Sequence, residues 1–172
     1  AYVSGIPFVY QNIYGVSPQV FSLLFGVNGI ALIIGTQSVG RLGDIIPERT
    51  FLRFGLFLST TAGTILLIAL LLKAPLLAVA IPIFFLVASI GIIATTSFAL
   101  AIETQGHIAG SASALLGLLP FVLGSITSPL VGVAGEYSAI PMGVVILSAS
   151  LLALLSYFGL VRRSSLHVQA AK

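Results

Sequence analysis

Five stretches of this chain, residues 19–40, 54–72, 76–102, 109–134 and 141–161, contain no Asp, Glu, Lys, Arg or His. Each is long enough to cross a bilayer, for which a helix uses about 17–25 predominantly apolar residues. Hydrocarbon offers a backbone N–H or C=O no partner, so a crossing segment pairs them within a helix or between strands of a closed barrel. Barrel strands are about 9–11 residues long and alternate apolar with polar. The runs here are about twice that length and apolar on every face. The expected fold class is therefore an all-α membrane protein, a polytopic helical bundle.

The composition agrees. Only 6% of the residues are charged and 58% are hydrophobic, with a mean hydropathy of +1.20. Soluble domains carry about 25% charged residues, so a soluble single-domain enzyme has too little charge here for its surface. Disorder needs low hydrophobicity and high charge, and is excluded on the same count. The seven Lys and Arg outnumber the four Asp and Glu, but these charges sit at the ends of the apolar runs. There they set topology, and no nucleic-acid partner is expected. The chain has no Cys, which removes disulfides, thiolate metal sites and a thiol nucleophile.

Residues 1–14, AYVSGIPFVYQNIY, open inside an apolar stretch with no basic region before it. They read as the second half of a helix whose start is missing, and the chain is expected to be a fragment with one partial span and five full ones. Gly15-Val16-Ser17-Pro18 breaks that helix, with Ser17 suited to the N-cap and Pro18 to the first helical position. Residues 41–53 form the concentrated polar stretch, read as a loop. Lys73-Ala74-Pro75, Glu103–His107 and Gly135–Ser138 separate the later spans, and Arg162-Arg163 follows the last. Alternation puts Arg41, Arg49, Arg53, Arg162, Arg163 and Lys172 on one side and Lys73 alone on the other. The excess of basic residues on the cytoplasmic side of membrane proteins assigns the 41–53 loop and the C-terminus to the cytoplasm.

Small residues recur at helical spacing. Gly110, Ala114, Gly117, Gly124 and Ser128 mark one face of the fourth run, with Phe121 among them, and Gly55, Ser59 and Gly63 mark the second. Such faces let helices approach closely in lipid, either as fixed packing or as a surface that slides during transport. Pro82, Pro120 and Pro129 fall within spans.

No constellation for hydrolysis, metal binding or phosphate binding is present, and His107 and His167 both lie outside the apolar runs. Neither catalysis nor a cofactor is expected. Intramembrane ionisable groups usually mark proton relays. The spans have none, so a proton carrier is expected outside this segment, with Glu103 at a span end the nearest candidate. Neutral polar residues remain. Phe8, Gln11 and Asn12 share a helical face by spacing, as do Ser89 and Thr96, and Asn28 lies within the first full run. Together they are the candidate lining of an apolar pocket with a few orienting hydrogen bonds.

Gly40-Arg41-Leu42-Gly43-Asp44-Ile45-Ile46-Pro47-Glu48-Arg49 resembles the major facilitator loop signature, G-x-L-x-D-R-x-G-R-[RK]. Gly40, Leu42, Asp44 and Arg49 match, while Ile45, Pro47 and Glu48 replace a basic residue, a Gly and a second basic residue. That degeneracy suits the weaker copy of the loop, between spans eight and nine. IPFVYQNIYGVSPQVFSLLFGVNGIAL resembles the seventh-to-eighth span region of the Bcr/CflA drug-resistance transporters, with Ile6 where Ser is common. HIAGSASALLG is similar to the start of their eleventh span. The likeness covers the whole chain as spans seven to twelve, the C-terminal half of a major facilitator fold. It implies a bacterial inner-membrane exporter that exchanges protons for small hydrophobic compounds by alternating access, completed by an N-terminal six-helix half. By the same resemblance Gly40 permits tight helix packing at the loop. Asp44 steadies one transport conformation at a helix terminus or with Arg41, Arg49 or Arg53. A half-size protein that dimerises, and a non-transporting membrane scaffold subunit, are the competing classes.

Overall fold

The computed structural model describes residues 2–104, 109–132 and 138–161. Helix α1 (Tyr2–Phe8) runs on into a π-helical turn, Val9–Ile13. Gly15, at φ +62°, turns the chain in the left-handed region that only glycine enters freely. Ser17 then caps α2 (Pro18–Leu42) by accepting from the Val20 N–H at 3.4 Å, and Pro18 takes the first turn, as the sequence predicts.

Leu42 ends α2 when its carbonyl accepts from Ile45 and Ile46. Extended Pro47 then starts α3 (Glu48–Leu71), with Glu48 complementing the positive end of the helix dipole. Residues 48–53, read from sequence as loop, thus belong to α3. The helix stops at Lys73, whose φ of +49° is rare for a side chain with a Cβ. There the Ala74 N–H reaches back to the Ala69 carbonyl at 2.9 Å, and Tyr14 donates to the Ala74 carbonyl at 2.7 Å. Those two bonds hold a turn that would ordinarily call for glycine. Helices α4 (Leu76–Thr104), α5 (Ala109–Gly132) and α6 (Ile140–Ser156) follow, and α6 ends in a second π turn, Tyr157–Val161.

Helix α3 lies between α4 and α6, and α2 packs on the other side of α4. No hydrophobic force drives helices together in hydrocarbon, so close approach carries the packing. The closest approach is at α2 against α4. A Cβ on Gly35 would collide with the Ala88 carbonyl oxygen, and one on Gly91 would lie 2.7 Å from the Leu32 carbonyl oxygen. Gly55 of α3 sits against Ile92 and Ile93, and Gly63 sits against Ile146 and Leu147 of α6. A third junction wedges Gly5 of α1 between Met142 of α6 and Val131 of α5. Hydroxyls inside the helices are satisfied locally: Thr36, Thr60, Thr64 and Thr95 each donate to the carbonyl four residues back.

Helix α5 stands apart. Val131 is its one buried side chain among those described, and Phe121 is 79% exposed. Gly110, Gly117 and Gly124 have open space where a Cβ would be. Of the small-residue stripe expected to pack α5, the three glycines therefore meet no neighbouring helix among the described residues, whereas Ser128 does. Its position explains this, because α5 is attached near one end, by Val131 and by Ser128 donating to Ser4 at 2.7 Å. The α2 and α5 surfaces are rows of exposed Leu, Ile, Val and Phe, as hydrocarbon or a further helix layer requires. Of the sequence-level assignments, His107, His167, Arg162, Arg163 and Lys172 lie outside the described residues.

Candidate functional site

A cavity of about 370 Å³ opens between α3, α4, α5 and α6, with Tyr2 of α1 also in its lining. Loose attachment of α5 creates it. Pro120, Leu123, Gly124 and Thr127 form one wall, and Ile146, Ala149, Ser150 and Ala153 of α6 form the other. Its floor includes Leu86 and Ile90 of α4 and Ser59 of α3. Ser59 and Ser150 are hydrogen-bonded to each other at 2.9 Å across α3 and α6. Among the described residues no charged side chain lines it. Apolar walls with a few fixed polar groups are the usual make-up of a small-molecule site.

The residues proposed from sequence lie elsewhere. None of Phe8, Gln11, Asn12, Asn28, Ser89 or Thr96 lines this cavity or the second described one, at Tyr14, Lys73 and Ser138. Ser89 and Thr96 do share a buried face of α4, but each donates to a carbonyl of its own helix, Leu86 at 2.6 Å and Ile92 at 2.7 Å. Their hydroxyls are spent in packing. Phe8, Gln11 and Asn12 are separated by the π turn, where Tyr14 donates five residues back to Val9. The wider turn shifts the shared face that α-helical spacing predicts, and Asn12 is exposed.

Asn28 is different. It is 4% exposed on α2, and its Nδ2 donates to the Tyr2 hydroxyl at 2.9 Å, one residue removed from the cavity. Tyr10, 1% exposed, places its hydroxyl beside the same amide but outside hydrogen-bonding geometry, and that oxygen has no partner. Tyr2 and Tyr10 were not singled out from sequence. Their signal was available, since tyrosines deep in an apolar segment need polar partners.

At the other end of the bundle, Arg41, Asp44, Arg49 and Arg53 are all exposed. Among the described residues Asp44 makes no ion pair with Arg41, Arg49 or Arg53. Arg53 turns instead to α6, donating from Nε to the Tyr157 hydroxyl at 2.8 Å with its guanidinium carbon 6.0 Å from the ring centroid. Gly40 makes no close helix contact either, having open space at its Cβ position. The contact face of α2 runs through Asn28, Ala31, Gly35 and Val39, and Gly40 lies one residue, about 100°, off it.

Over 162 residues, 94% of its length, the chain is 51% identical to the uncharacterized MFS-type transporter YdgK of Bacillus subtilis. The chain is a relative of MFS-type transporters. It is also 28% identical over 164 residues to a bicyclomycin resistance protein homolog of Haemophilus influenzae. It spans about 40% of the length of these curated relatives. No protein-family model and no solved structure matches it. Five helices long and apolar enough to cross a membrane, together with these relatives, make it a multi-pass membrane protein and not an enzyme.

Proposed function

We propose that this segment is the C-terminal six-helix half of a bacterial exporter that exchanges protons for small hydrophobic compounds by alternating access. The observation that carries the reading is the 51% identity with an MFS-type transporter along 94% of the chain. The distant likeness to a bicyclomycin resistance protein homolog favours drug export of the Bcr/CflA kind. The uncharged cavity beside α5 supports a hydrophobic cargo. With no ionisable group in the five apolar runs, the proton is carried by residues of the N-terminal half. The bare faces of α2 and α5 are where that half packs, and lipid covers the rest. The membrane is the inner one, with the 41–53 stretch and the C-terminus cytoplasmic by the Lys and Arg bias.

The test uses everted membrane vesicles containing the full-length protein, acidified inside by respiration. Adding an exported compound should raise the lumenal pH, read by an acid-accumulating dye, and bicyclomycin is the first compound to try. If a panel of hydrophobic antibiotics leaves the gradient untouched while the protein is present in the membrane, proton antiport is refuted.

A further inference from the structure

The polar groups of the α5 cavity differ in what they have left to offer. Ser150 Oγ donates to the Ile146 carbonyl at 2.9 Å, so the hydrogen between Ser59 and Ser150 is that of Ser59. Thr127 donates to the Gly124 carbonyl at 3.3 Å. All three hydroxyl hydrogens are consumed inside the protein. Tyr2 keeps its own. Its oxygen accepts the Asn28 N–H at 2.9 Å, and its O–H meets no acceptor among the described residues. The Tyr2 ring is also stacked on Phe25, with centroids 6.3 Å apart. Asn28 and Phe25, both on α2, thus hold this donor in place at the cavity wall.

An O–H without an acceptor is unfavourable in hydrocarbon, and a ligand oxygen that accepts it is correspondingly favoured. A cation here would lose its hydration with no carboxylate among the described lining residues to replace it. Resting on the exporter reading above, we propose that the cavity takes a neutral, largely apolar molecule bearing one hydrogen-bond acceptor, oriented by Tyr2 with Asn28 behind it. Its volume of about 370 Å³ falls in the range of about 300–1,000 Å³ usual for small-molecule sites.

A matched dye pair tests both halves of this statement. Nile red is neutral and carries a ring carbonyl, and Nile blue has the same ring system with a cationic nitrogen in that place. Saturable binding is measured by fluorescence on the purified full-length protein. Nile red should bind at least tenfold more tightly than Nile blue. Ala149→Phe, which fills the cavity, should abolish saturable Nile red binding, with Ala153→Phe as a second filling variant against a local folding fault. Tyr2→Phe should weaken Nile red about tenfold and leave Nile blue unchanged. Equal or tighter binding of Nile blue, or Nile red binding that survives both filling variants, overturns the proposal. Nile red affinity indifferent to Tyr2→Phe overturns it in favour of a lipid acyl chain, which has no acceptor to offer. The vesicle assay above fails or succeeds independently, so loss of the exporter reading is distinguishable from loss of this site.

Discussion

Replacing Gly35 by Ala adds a single methyl group at the closest helix approach in the bundle. The new Cβ would collide with the Ala88 carbonyl oxygen, with the Ala88 carbonyl carbon 3.0 Å and Cα 3.3 Å away. These are backbone atoms of α4 and cannot rotate aside, so α2 must move out. Overpacking of this kind costs about 1–3 kcal/mol, and a contact with backbone belongs at the upper end. Alanine returns up to about 1 kcal/mol through its better helix propensity. The net expectation is a loss of about 2 kcal/mol. Gly91→Ala meets the same interface from α4, at 2.7 Å from the Leu32 carbonyl oxygen and 3.0 Å from Thr36 Oγ1. Once one methyl has parted the helices the second finds room, so the double variant should cost less than the two singles added. The assay is thermal inactivation of the detergent-solubilised full-length protein, followed by size-exclusion chromatography. A Gly35→Ala protein as stable as the wild type would refute the close α2–α4 crossing itself.

Four further outcomes are expected. Ser59→Ala and Ser150→Ala should be coupled, with a double-mutant cycle giving about 0.6 kcal/mol, the average for hydrogen bonds between membrane helices; additive losses would mean that the two hydroxyls do not meet. Tyr157→Phe removes the acceptor for Arg53 and should speed amide hydrogen exchange at the first turns of α3, with a stability loss of about 1 kcal/mol. Asp44→Asn should leave thermal stability within about 0.5 kcal/mol, as expected for a surface substitution, yet abolish efflux at normal abundance; retained efflux would rule out a conformational role for the loop. Glu103→Gln, at an exposed helix end, should leave the pH dependence of transport unchanged, and a shifted profile would return Glu103 to the proton path.

The helices were legible because their signal is one-dimensional: a run without charge, a Ser-Pro start at 17–18, a Lys-Ala-Pro stop at 73–75. The α3 start differs by several residues because Glu48, Arg49 and Arg53 read as loop, although Glu48 suits the positive first turn of a helix. Gly55 and Gly63 were found as packing positions from their spacing. Gly35 and Gly91 were not, since one glycine in each helix forms no repeat; their partners, Ala88 and Leu32, are known only once α2 and α4 are laid together. The candidate site was least legible. Ser89 and Thr96 look identical in sequence whether they face a ligand or bond their own helix, and the π turn at Val9–Ile13 shifts the spacing used to group Phe8, Gln11 and Asn12.

The longest regular pattern in the sequence, the glycine stripe of α5, therefore sits on the helix least packed in the structure, and the two facts belong together. In lipid a helix gains nothing from hiding leucine, so α5 is held where atoms touch, among them Val131 beside Gly5 and Ser128 bonded to Ser4. Glycines that met a partner throughout, as Gly35 does, would bind α5 over its length and close the cavity behind it. Gly124, with open space at its Cβ position, instead forms part of the wall of that cavity. Gly117→Leu separates the two roles of the stripe. If the N-terminal half packs on it, the bulky side chain should destabilise the full-length protein by about 1–3 kcal/mol through overpacking. If lipid covers it, the same change should be neutral, and the α5 face would then be a surface of the transporter and not its seam.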